Sequence, residues 1–81
     1  SRFLKITVSL EMSSPAVRSD LEKNIQKLND SILLLLSTKS FDDVYSVQGK
    51  FTLKGEITTR VNQFLTMGQV KGAYFTEFII Q

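Results

Sequence analysis

Few residues in this chain carry reactive chemistry. It has no His and no Cys, so the nucleophile–base pairs that depend on imidazole or thiolate are absent. Two adjacent carboxylates, Asp42 and Asp43, follow Ser40-Phe41. That order reads as a helix N-cap followed by acidic first-turn residues rather than as an acid–base pair. Gly49-Lys50 resembles the end of a phosphate-binding loop, but Val44 stands where that loop needs its first Gly, and Phe51 where it needs Ser or Thr. Asn29-Asp30-Ser31 matches a glycosylation acceptor inside a helical pattern, where chance explains it better. Asp and Glu are spread thinly, so no metal and no cofactor is expected. The chain reads as a non-enzyme that works through its surfaces.

The ten Lys and Arg residues are interleaved with eight acidic ones, for a net charge of +2. This is a solvated surface and not a phosphate-tracking stripe, so no nucleic-acid partner is expected. The 81 residues make one domain, 1–81. A core of this size supplies about 3–5 kcal/mol, and with no disulfide or metal the remaining support is association with other chains. The longest apolar run, Ile32 to Leu36, is too short to span a membrane.

The elements follow from spacing. Leu4, Ile6, Val8, Leu10 and Met12 alternate with Lys5, Thr7, Ser9 and Glu11, which is a half-buried strand. Ser14-Pro15 opens a helix, with Ser14 as N-cap and Pro15 at the first helical position. Leu21, Ile25, Leu28, Ile32 and Leu35 give it an apolar stripe, and it is expected to run unbroken to about Ser37. Its end, Ile32 to Leu36, is apolar nearly all round and is expected to be buried on more than one side. Phe41 to Tyr45 makes one short turn, with Phe41, Val44 and Tyr45 locking onto the core. Ser46 caps a second long helix with stripe Leu53, Ile57, Val61, Phe64 and Leu65, ending before Gly68. Gly49 and Gly55 weaken that helix by about 1 kcal/mol each.

Val70 to Gln81 reads as a strand rich in aromatic and β-branched residues. Its alternation is poor. Val70, Tyr74, Phe78 and Ile80 share one parity; Ala73, Phe75 and Ile79 share the other. Both faces are therefore expected to be covered, one by the helices and the other by a second chain, with partial exposure of that face as the alternative. The fold class is α+β, order β-α-α(short)-α-β, with a small antiparallel sheet packed on a helix pair. A two-stranded sheet leaves open edges that invite further strands. The residues proposed for self-association are Phe3, Ala73, Phe75 and Ile79.

Local patterns in their order resemble one family. Arg2-Phe3-Leu4-Lys5 opens a strand ending Leu10-Glu11, and Leu35-Leu36-Ser37-Thr38-Lys39 closes a helix. Gly49-Lys50 and Leu53-Lys54 open the next. Gly68, Val70-Lys71, Tyr74-Phe75-Thr76-Glu77-Phe78 and Gln81 complete the set. Together they resemble FliL, the flagellar basal body-associated family. Gly55 and Ala73 depart from its pattern. The resemblance implies a stomatin-like domain in the periplasm, on a single-pass inner-membrane protein whose membrane helix precedes Ser1. It further implies ring-like homo-oligomers around the flagellar stator, MotA/MotB, that support stator activity, torque and motility. From the residues alone, a small soluble ligand-binding regulator unrelated to flagella is the alternative.

Overall fold

A computed structural model describes residues 3–81. The order is β1 (Leu4–Met12), α1 (Ala16–Lys23), α2 (Ile25–Ser37), α3 (Phe41–Tyr45), α4 (Val47–Gln63) and β2 (Val70–Ile80). The fold is α+β. Among the described residues β1 and β2 form one antiparallel sheet, and the helices cover one of its faces. Leu28, Leu35, Val44, Leu53, Ile57, Val61 and Val70 are the buried centre of the core.

β1 alternates without interruption between half-buried and exposed residues. β2 reaches the same result by another route. Thr7 faces Glu77 and Val8 faces Phe75, so Thr76 is an extra residue; Glu11 faces Gly72 and Met12 faces Val70, so Lys71 is another. Each extra residue is a bulge that reverses side-chain parity along the strand. Val70, Ala73, Phe75, Phe78 and Ile80 therefore all line up opposite the inward residues of β1. This corrects the expectation of two apolar faces on the last strand. Members of both parity sets are gathered onto one face, and the other carries Lys5, Thr7, Ser9, Glu11 and Glu77 together with Tyr74 and Ile79.

The expected single helix from residue 14 to 37 is two helices meeting at Asn24. The Asn24 backbone leaves the helical region (φ −111°, ψ 11°). Its side-chain amide donates to the Asp20 carbonyl at 2.9 Å, an acceptor that the next turn would otherwise use, and to the Phe64 carbonyl at 3.3 Å. A short amide competing with the backbone in this way breaks a helix. Pro15 has helical angles, as expected, but the Ser14 hydroxyl does not cap. Arg60 of α4 reaches across to α2, donating to the Ser31 carbonyl and hydroxyl.

Ser40 and Asp43 form a reciprocal capping box at α3, and the Ser46 hydroxyl accepts from Gly49 N–H at 2.9 Å at the start of α4. Tyr45 does not lock onto the core; it stands exposed, stacked on Phe41 with ring centroids 5.1 Å apart. α4 stops at Gln63, short of the expected end before Gly68. Two side chains account for that. Asp20 Oδ2 accepts from Thr66 N–H at 2.6 Å and Met67 N–H at 3.0 Å, taking donors that helical carbonyls would otherwise use. Asn62 bonds both the N–H and the carbonyl of Val70, starting β2. Gly68 still serves a backbone need, since φ is +143° there.

Candidate interaction surfaces

The four residues expected to mediate self-association lie in different places. Phe3 continues the ladder past β1, exchanging both backbone hydrogen bonds with Gln81 (2.6 and 2.8 Å), and the residue is 57% exposed. Ile79 faces outward opposite Lys5, 37% exposed. Ala73 is 4% exposed, inside the core face, and Phe75 lies half-buried on that same side, edge-to-face with Phe78. The bulge at Thr76 is what turns these last two inward. Arg2 lies outside the described residues.

The helix layer is wider than the sheet above it. Two helices pack about 8–10 Å apart, whereas two strands are separated by only about 4.8 Å. Beneath the outer edge of β1 this leaves an open cleft of about 350 Å³. β1 contributes Ile6, Val8 and Leu10; the helices contribute Leu21, Ile25, Leu28 and Ile32. Among the described residues β1 has a hydrogen-bonded neighbour on one side only. The edge above the cleft is thus regular and unpaired, the condition for adding a strand. On the far side of α2, Leu33 is 64% exposed and Leu34 also faces outward, against the expectation that Ile32 to Leu36 is covered on more than one side.

A second surface was not foreseen from the sequence. Val47, Lys50, Phe51 and Lys54 form one stripe on α4, flanking the buried stripe of Leu53 and Ile57, and meet Phe75 in a groove of about 200 Å³. The stripe was readable as helical spacing from Val47. The buried stripe on the same helix gives the stronger apolar signal.

The titrating groups have local structural roles. Asp20 is held below the ordinary carboxylate range by the Thr66 and Met67 N–H groups. Asp43 is lowered by the Ser40 N–H. Tyr74 is raised because its hydroxyl donates to Glu11, a negative neighbour. None of these sits in an enclosed site with a second acid or base. Among the described residues no cluster of three or more His, Cys, Asp or Glu could hold a metal ion, and no helix is long and apolar enough to cross a membrane.

Residues 1–81 match the sequence profile of the family described as flagellar basal body-associated protein FliL. The chain is 32% identical over 79 residues to the flagellar protein FliL of Aquifex aeolicus (strain VF5). It is 30% identical over 78 residues to the flagellar protein FliL of Bacillus subtilis (strain 168). These alignments cover 98% and 96% of this chain, but 49% and 56% of the relatives. The chain therefore spans about half the length of the curated relatives it matches.

Proposed function

The chain belongs to the FliL family of flagellar basal body-associated proteins, and from that premise we propose that it is a non-catalytic scaffold of the flagellar motor. Its copies associate in the periplasm, in a ring, beside the stator proteins MotA/MotB, and they sustain stator activity and torque under load. The protein is anchored in the inner membrane by a segment outside residues 1–81, and these residues form its single periplasmic domain.

The observation that carries this reading is the open edge of β1 over its apolar cleft. A small domain that leaves a nine-residue edge unpaired among the described residues, above a groove lined mainly by aliphatic side chains, is stabilised when a second chain covers both. Backbone hydrogen bonds along the edge would give affinity, and alternate side chains entering the cleft would give register. Phe3 continues the same edge past β1 and extends the contact, while Ile79, on the outer face of β2, and Ala73 and Phe75, on its core side, lie away from the cleft. Family membership supplies the flagellar setting.

The test is motility in viscous medium of cells whose only copy carries Phe3→Ser, at the end of the β1 edge, and Ile25→Glu, in the cleft, with the protein level checked by blotting. Reduced swimming under load at normal protein level is the expected result. Full torque from a variant shown to be monomeric would overturn the reading.

A further inference from the structure

The groove on α4 carries a second and separate inference. Its walls are Val47, 72% exposed, and Phe51, 63% exposed, with the ring of Phe75 alongside. Large apolar side chains left this open on one face mark a contact surface. The charge there is one-sided. The Lys50 ammonium lies 4.7 Å from the centroid of the Phe78 ring and 5.6 Å from that of Tyr45, and it donates to the Tyr45 carbonyl at 2.6 Å. The Lys54 ammonium lies 5.4 Å from Phe51 and 5.8 Å from Phe75. Neither lysine forms an ion pair among the described residues. Lys5 and Lys39, by contrast, each have a glutamate.

We propose that this groove binds a segment of a partner protein in which an aromatic or large aliphatic side chain is flanked by carboxylates. The apolar side chain enters between Val47, Phe51 and Phe75. A groove of about 200 Å³ has room for one benzene-sized ring, which a cavity of about 150 Å³ accommodates. The carboxylates meet the two ammonium groups, which the ring faces already hold in place, so little side-chain freedom is lost on binding. Charge complementarity selects an acidic partner and excludes a basic one. This inference stands on the surface of α4 and not on the β1 edge, so the self-association reading and this one fail separately.

The test is to pan a random peptide library on the immobilised 81-residue chain and to measure the enriched peptides by fluorescence anisotropy. Enrichment of aromatic residues next to Asp or Glu is expected. Lys54→Gln and Phe51→Ser, each confirmed folded by circular dichroism, should weaken binding about tenfold, the size of one cation contact or one anchoring side chain. Phe3→Ser, at the sheet end, should leave it unchanged. Enrichment of basic or uncharged peptides, or equal binding by the Lys54→Gln variant, would overturn the proposal. So would binding only to vesicles containing phosphatidylglycerol, because the surface would then be a membrane contact.

Discussion

Two glycines on α4 should respond to the same substitution with opposite signs. Gly55 is exposed in the helix interior, and a Cβ built there meets nothing within 4 Å. Gly55→Ala should therefore stabilise the chain by about 1 kcal/mol, the propensity difference between the two residues. For a domain of this size that is a rise of roughly 4–8 °C in Tm. Gly49 lies in the first turn, where α4 runs close to the end of α3. A Cβ there would overlap the Asp43 carbonyl oxygen and lie 2.7 Å from the carbonyl carbon and 2.9 Å from the Ser46 hydroxyl. That obstacle is backbone, so α3 and α4 must separate. Overpacking of this kind costs about 1–3 kcal/mol, and disturbing the Ser46 cap adds about 1 kcal/mol. Gly49→Ala should lower Tm correspondingly, by at least about 4–8 °C. Thermal melts of both variants by circular dichroism, with calorimetry for the enthalpy, decide the matter. Equal increases in Tm would mean that α3 and α4 are not in contact here, and the docking of the short helix would be refuted.

Three further perturbations test other parts of the fold. Asp20→Asn should remove part of the acid dependence of stability. The folded Asp20 pKa lies below its unfolded value, so its contribution is present above the ordinary carboxylate range and fades as pH falls through the lowered folded value. Melts from neutral pH down to pH about 2, below the free carboxylate value of about 3.9, should show a shallower acid limb for the variant. An unchanged limb would contradict the Asp20 latch on residues 66 and 67. Deleting Thr76 removes only the bulge residue and keeps Phe75, Ala73 and Val70 inward, so it should cost about 1 kcal/mol or less in urea melts, whereas deleting Tyr74 should unfold the chain. Phe78 is half-buried, so Phe78→Ala should cost about 2–3 kcal/mol, less than the ~3–5 kcal/mol of a fully buried aromatic; denaturant unfolding showing under about 1 kcal/mol would place its ring outside the core.

Several features were legible in the sequence because local chemistry fixes them. The alternation of β1, the Ser40 and Ser46 caps and the Leu53, Ile57, Val61 stripe all follow from residue type and spacing, and each appears in the fold. The bulges were not legible. Two parity sets in one strand are equally consistent with two covered faces and with a strand that shifts phase, and only the partner strand's register distinguishes them. The break at Asn24 depends on a carbonyl at Phe64, forty residues away, and the early end of α4 depends on Asp20. Such contacts between distant residues leave no periodic trace. For the candidate surfaces, Phe3 and Ile79 are exposed, while Phe75 is half-buried and Ala73 lies in the core. Lys50 and Lys54 gain meaning only when Phe75 and Phe78 arrive from the other end of the chain.

The central claim is that the domain acts by associating with copies of itself. The most direct measurement is native mass spectrometry of the 81-residue chain held at high local density on lipid vesicles by an appended tag, with and without Phe3→Ser and Ile25→Glu. Species of several copies for the unaltered chain, lost in the double variant while its circular dichroism is unchanged, are the predicted result. A strict monomer at every density would contradict the claim.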